Sequence, residues 1–250
     1  MDALILAGGE SSPELQAATG ATERALIPVG SNDEPMIAPV VRAIRAALPI
    51  ARIAVAGSTA VHAAARAHSE IIAVEGAERM TQNLANGARA LQAETVLVCT
   101  CDVPFLTQST LEEFVRGAHS LDIAYAVVRR AVCEAAFPGG KRTYARLVDG
   151  EFTGGNAVLL PRARIDDLVS LAETAYNARK NPAKLAGLLG AGLMVKFATR
   201  RLKISDIEAR ASAVLGCRAG AVEMQDAAIA FDVDKLEDWE TVRRLSERIQ

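Results

Sequence analysis

The sequence predicts a three-layer α/β domain built on a mixed, mainly parallel sheet. Three observations predict it. Short apolar runs alternate with helical patterns through the first half of the chain, the β-α-β order that lays helices on both faces of a parallel sheet. Beyond residue 123 that alternation breaks into consecutive strands, followed by a long helical region and a last strand and helix. With 250 residues, half of them apolar, the chain suits one such domain with a large core, 1–250, carrying a helical insertion at 162–216.

Residues 3–7 form an apolar run with no polar side chain, as expected of a strand covered on both faces, and it stops on Gly8-Gly9. Two residues without a β-carbon let backbone N–H groups approach a ligand oxygen, although a plain strand–turn has the same pattern. Residues 10–23 hold Ser, Pro, Gly and Thr with little periodicity and predict a surface loop. Ile37, Val40, Val41, Ile44 and Leu48 recur at helical spacing within 35–48, and Pro49 ends that crossover helix. Strands are expected at 53–56 and 71–74, around an alanine-rich helix at 59–67. Thr81 is placed to cap a helix running to about Gln92, a strand follows at 96–99, and Ser109-x-x-Glu112 reads as a capping box. A strand at 123–128, a loop at 138–142 and strands at 144–148 and 156–160 come next. Within 162–215, Pro182 starts one helix and Ser205-x-x-Glu208 another; 229–233 is the last strand and 236–249 the last helix.

The 28 basic and 30 acidic residues nearly cancel, which argues against a general nucleic-acid-binding surface. No basic region followed by a long apolar run opens the chain, and Cys99, Cys101, Cys133 and Cys217 lack the spacing of a disulfide framework, so a reducing cytoplasm is the expected location. Cys99 and Cys101 read as small buried residues rather than metal or redox groups. The apolar stretch 185–198, with Lys196, Arg200, Arg201 and Lys203 at its end, is short and glycine-rich for a membrane span. It is expected to pack on the sheet edge or form a homodimer seam rather than rest on a bilayer. His62, His68 and His119 lack metal spacing and receive no role.

Asp102 directly follows a buried strand, and ligands of open α/β sheets sit at the carboxyl ends of strands. A carboxylate there can hold Mg²⁺ against phosphate oxygens; a turn or cap aspartate is the plainer alternative. Asp232 and Asp234, two residues apart, would share a face if the chain is extended. Lys141, Arg142 and Arg146 cluster beside Thr153-Gly154-Gly155-Asn156, either as a ligand site or as solvated charge.

Four stretches, Leu6-Ala7-Gly8-Gly9, Arg24-Ala-Leu-Ile-Pro-Val-Gly30, Asp102-Val-Pro104 and Asp232-Val-Asp234, occur in one order. Together they resemble the MobA-like nucleotidyltransferases (molybdenum cofactor guanylyltransferase-like) of the glycosyltransferase-A-like, or nucleotide-diphospho-sugar transferase-like, fold. The resemblance implies Mg²⁺-dependent transfer of an NMP group from a nucleoside triphosphate to a phosphorylated small molecule, with release of pyrophosphate. It implies that Leu6, Ala7, Gly8 and Gly9 bind the nucleotide, that Arg24 and Asp102 are catalytic, that Asp102 and Asp234 hold the metal, and that Asp232 supports or substitutes for Asp234. Arg79-Met-Thr-Gln-Asn-Leu-Ala-Asn-Gly87 is similar to a segment by which cytidylyltransferases meet base and phosphates, implicating Arg79, Thr81, Gln82, Asn83 and Gly87; an ordinary capped helix is the alternative. Lys141, Arg142, Gly154, Gly155 and Asn156 are the acceptor-binding candidates.

The chain departs from the family pattern in two places. The loop after Gly-Gly lacks the usual arginine, and Arg24 stands where lysine is usual, the only basic residue in the first forty positions. Arginine keeps the charge and can grip two phosphate oxygens at once. A nucleotide-binding or regulatory protein of the same fold with little turnover is therefore the rival reading. A dinucleotide-binding reading is weaker, because Gly-x-Gly-x-x-Gly is absent after the first strand.

Overall fold

The computed structural model describes residues 1–47, 50–140, 142–178, 187 and 190–246. The central strand is β1 (Asp2–Leu6), flanked in parallel by β4 (Ile53–Gly57) and β6 (Thr95–Thr100). β5 (Ile72–Glu75) extends the parallel run beyond β4. On the other side, β9 (Gly150–Pro161) runs antiparallel between β6 and β7 (Ile123–Arg129), and β10 (Ala219–Met224) pairs in parallel with β7. The sheet order is β10-β7-β9-β6-β1-β4-β5, with β8 (Ala145–Leu147) on β9. A separate two-stranded ribbon pairs β2 (Pro28–Val29) with β3 (Glu34–Pro35).

Successive side chains of the strands face opposite layers. Ala3, Ile5, Leu97 and Cys99 join the core under α2 (Ile37–Ala46), α3 (Thr59–Arg66) and α5 (Gln108–Gly117), through Ile37, Val41, Ile44, Val61, Leu111 and Phe114. Leu4, Val96 and Val98 join the opposite core under α4 (Met80–Ala90) and α7 (Ile165–Ala178), with Ala88 and Ile165. The period-two alternation of these strands thus produces the expected three layers. A third cluster, Leu15, Ile27, Val29, Met36, Phe231, Val233 and Val242, lies at one end and pins the segments that form the candidate site.

Several local expectations are corrected. Residues 10–23 contain α1 (Pro13–Thr19): Ser12 Oγ accepts from Leu15 N–H, Pro13 starts the helix, and Gly20 ends it at φ +74°. A seven-residue helix that buries only Leu15 leaves no periodicity to read. α4 begins after Arg79 without a side-chain cap, because the Thr81 hydroxyl is donated to Glu173 at 3.3 Å. α5 begins one residue before Ser109, capped by Thr107, whose Oγ1 accepts from Thr110 N–H at 3.2 Å. α6 (Arg130–Ala136) was not expected at all.

Another concerns the end of the chain. Residues 229–233 are not a strand: Asp226 Oδ1 accepts from Ala228 N–H and starts a 3₁₀ turn over Ala227–Ala230, and β10 precedes it. Burial of Ala227–Ala230 mimics a strand in the sequence, since burial rather than extension makes a short run apolar.

Between β9 and β10 lie α7, α8 (Ala191–Ala198) and α9 (Ile204–Leu215). Ser205 and Glu208 do not close a capping box on α9, because the Glu208 carboxylate accepts from Ala221 N–H at 2.8 Å. The expected helix start at Pro182 lies outside the described residues. α8 buries no side chain, and Val195 and Phe197 are each 60% exposed, so its described part does not cover the sheet edge as expected. Among the described residues no helix is long and apolar enough to cross a membrane. α10 (Leu236–Ser246) closes the described chain.

Candidate active site

The site forms where β1 and β6 end side by side. Leu6 C=O accepts from Cys101 N–H and Ala7 N–H donates to Ala56 C=O, so these two residues are held within the sheet and present the exposed Gly8-Gly9 turn. The loop that leaves the turn comes back alongside it: Ser11 N–H bonds Thr22 C=O at 2.8 Å and Arg24 N–H bonds Gly9 C=O at 2.9 Å. This return brings Arg24 next to the glycines although fourteen residues intervene. A β-carbon on Gly9 would stand 3.8 Å from Arg24 Nε, so the guanidinium flanks the turn without filling it.

Arg24 Nη1 lies 2.9 Å from Asp102 Oδ2 and 2.7 Å from Asp234 Oδ1. Burial alone would lower the arginine pKa, but the hydrogen bond and charge of Asp102 and the charge of Asp234 outweigh it and raise the value. The two acidic segments are spliced by Val233 N–H, which donates to Asp102 C=O at 2.9 Å. Asp102 is buried and its Oδ1 has no hydrogen-bond partner, whereas the Asp234 side chain is half exposed. Burial, then the neighbouring Asp232 carboxylate, raises the Asp234 pKa despite Arg24.

A buried carboxylate with one orphaned oxygen, whose other oxygen shares Arg24 Nη1 with a second carboxylate, fits Mg²⁺, which takes one or two carboxylates and completes its shell with water and phosphate. Asp102 and Asp234 are the residues that would hold it. Among the described residues no group of three or more His, Cys, Asp or Glu could hold a metal ion by itself.

On one side of this cluster is a cleft of about 730 Å³ between Gly8-Gly9 and the ends of β4 and β5. Gly57 and Gly76 let two chains cross at its floor: a β-carbon on Gly76 would sit 3.2 Å from the Gly57 backbone. Asn83 holds the next residue in place. Its Oδ1 accepts from Ala77 N–H at 2.6 Å and its Nδ2 donates to Ala77 C=O at 3.1 Å. One N–H and one oxygen lone pair of the amide expected to read a base edge are thus taken by the backbone, and Asn83 is buried. Gly87 is also reassigned, because a β-carbon there would meet Leu4 Cδ1 at 2.3 Å; this glycine lets α4 pack on β1. Arg79 and Thr81 both turn to Glu173 of α7, and Gln82 is exposed.

Sequence reasoning missed Glu23, Ser58, Gly57, Gly76 and His62, which line this cleft. Glycines closing β4 and following β5, in line with Gly8, were the available signal.

On the other side is a cleft of about 380 Å³. Arg142 projects into it, paired with Asp232 at 2.8 Å and stacked 5.1 Å from the centroid of Phe231. Phe231 in turn packs on Phe105 and Phe137. Asp232 therefore anchors Arg142, while Asp234 alone turns to Arg24. Asn156 Nδ2 donates to Ile229 C=O at 3.3 Å and steadies the loop that carries both aspartates.

Gly154 and Gly155 line the cleft and also pack tightly beneath it; a β-carbon on Gly154 would meet Tyr125 Oη at 2.1 Å. Burial first, then the charge of Asp232, raises the Tyr125 pKa. Arg146 is absent from the cleft and pairs at the surface with Glu151. Lys141 lies outside the described residues. Tyr125, Lys235 and Asp238 line the cleft and were not singled out.

A mixed sheet with paired carboxylates, a basic side chain and a glycine turn at one rim, set between two clefts, defines a nucleotidyltransferase of three-layer α/β/α architecture. The sequence model of the MobA-like NTP transferase domain matches residues 3–185, and the chain belongs to that family of nucleotidyltransferase enzymes.

Among solved structures, a hypothetical transferase from Thermus thermophilus is 32% identical with a TM-score of 0.81, covering 95% of this chain and 98% of its own. A nucleotidyl transferase from Methanothermobacter thermautotroptrophicus shares the fold at 16% identity and a TM-score of 0.62, covering 100% of this chain and 98% of its own. A CMP:2-keto-3-deoxy-manno-octonic acid synthetase solved with CTP shares it at 17% identity and 0.63, covering 100% and 99%. Among curated proteins, none matches the chain.

Proposed function

We propose that this enzyme transfers an NMP group from a nucleoside triphosphate to a phosphorylated small molecule, with Mg²⁺ and release of pyrophosphate. The observation that supports it most is the Arg24–Asp102–Asp234 cluster at the junction of the two clefts. The base and sugar enter the Gly57–Gly76 cleft, the triphosphate lies over Gly8-Gly9, and the acceptor phosphate enters beside Arg142. An acceptor phosphate oxygen attacks the α-phosphorus in line, a new P–O bond forms, and the bond to the β-phosphate oxygen breaks as pyrophosphate leaves. Bound Mg²⁺ supplies neutralisation of charge on the reacting phosphates.

The chain's part is placement and charge. Asp102 is fixed by its strand and by Val233, Arg24 offers its guanidinium to the triphosphate, and Arg142, held by Asp232 and Phe231, meets the acceptor anion. Residues 162–216 serve as an insertion within one domain, the exposed side of α8 as a homodimer seam, and the cytoplasm as the location. A pyrophosphate-release screen of four nucleoside triphosphates against sugar and other phosphates tests the reading. Mg²⁺-dependent release with one pair, lost in Asp102→Asn, is expected. Nucleotide binding without turnover for every acceptor would favour the regulatory alternative.

A further inference from the structure

Arg24 presents a single nitrogen, Nη1, to both carboxylates, at 2.9 and 2.7 Å. Those are full charge-assisted contacts, so the guanidinium edge fills the gap between Asp102 and Asp234. A divalent cation held by the same two oxygens needs that gap, since Mg²⁺ stands roughly 2.0–2.1 Å from each ligand oxygen. Two positive charges do not share it.

The arginine can leave without disturbing the loop. Its backbone stays tied to Gly9 C=O, and around a β-carbon placed on Gly9 the only heavy atoms within 4 Å would be Nε and Cζ of Arg24 itself, so no other side chain crowds that face of the turn. Arg24 Nε is buried and unpartnered beside that turn, a donor already in place for an anion seated on the glycines.

We infer that Arg24 gates the divalent cation: in the free protein its guanidinium closes the gap between Asp102 and Asp234, and the cation enters when an anion on the Gly8-Gly9 turn draws the guanidinium out. The identity of that anion as a triphosphate rests on the proposed function; the exclusion of metal from the free protein does not. Site assembly is consequently ordered, with the metal site completed only when the nucleotide arrives.

The test uses Mn²⁺ alone, without nucleotide, titrated into the full chain and followed by electron paramagnetic resonance. Wild type is expected to bind weakly. Arg24→Gln is expected to bind at least about tenfold more tightly, Arg24→Gln/Asp234→Asn to lose that gain, and Arg24→Lys, which keeps the charge, to return toward wild type. Far-UV circular dichroism confirms folding, and Arg24→Met replaces Arg24→Gln if the latter does not fold. Equal Mn²⁺ affinity in wild type and the neutral variants, or a gain that survives Asp234→Asn, overturns the inference. Either result is independent of turnover, so failure of the pyrophosphate screen leaves this test intact.

Discussion

Replacing Asn83 with alanine separates a base-reading side chain from a clamp. Asn83 makes two hydrogen bonds to the backbone of Ala77, one in each direction, and is itself buried. At about 0.5–1.5 kcal/mol net for each bond, the substitution should cost about 1–3 kcal/mol. In a chain this long about 1 kcal/mol moves the melting temperature by about 2–4 °C, so a fall of roughly 2–12 °C is expected. Ala77 borders the cleft proposed for the nucleotide, next to Gly76, and its loosening should weaken all four nucleoside triphosphates by a similar factor. Calorimetric melting together with displacement of a fluorescent nucleotide reads both effects. An unchanged melting temperature combined with loss of affinity for one base only would show that Asn83 touches the base, and would refute the clamp.

Three further substitutions probe the packing, the chemistry and the charge. Gly87→Ala drives a methyl group into Leu4 and should destabilise by up to about 2 kcal/mol, an overpacking cost of about 1–3 kcal/mol less a helix-propensity gain of about 1 kcal/mol; a denaturant midpoint above wild type would contradict this. Asp102→Asn should lower pyrophosphate release by about two orders of magnitude or more while the far-UV spectrum stays native, and retained release would remove Asp102 from the metal. Asp234 has a folded pKa raised above its ordinary 3.8, chiefly by burial and Asp232, so the native state holds its proton to higher pH than the unfolded chain. Stability attached to this group is therefore lost as pH rises from about the ordinary carboxylate value through the raised one. Asp234→Asn should melt progressively higher relative to wild type across that window; a constant difference would mean the group is not perturbed.

The central sheet was legible because buried strands such as β1 and β4 are continuous apolar runs, and because helices such as α2 repeat their apolar residues at i, i+3 and i+4. What escaped was set by side chains meeting the backbone at a distance. In the sequence Asn83 is a candidate for a base edge, because nothing local reveals that its amide bonds the backbone of Ala77. Asp232 and Asp234 looked alike, yet Arg142 claims one and Arg24 the other across long stretches of chain. α1 was missed despite Ser12 and Pro13, an adequate start signal, because one buried leucine is too little for a periodicity. The glycine turn, Arg24, Asp102 and Asp234 were each found from short motifs, and the structure brings all of them together.

The pairing of β7 with β10 has a consequence for synthesis on the ribosome. β7 lies beside β9 on one edge, and among the described residues its other edge pairs with β10, which emerges roughly 90 residues later, a delay of about 5–20 s at ordinary elongation rates. During that interval the unfinished molecule presents an open ladder of N–H and C=O groups, the kind of surface that recruits strands from neighbouring chains. Asp234 follows β10, so the nascent protein remains without its second carboxylate for the same period. Protection of the β7 edge, by rapid engagement of a chaperone or by slow growth at low temperature, should therefore raise the yield of this protein.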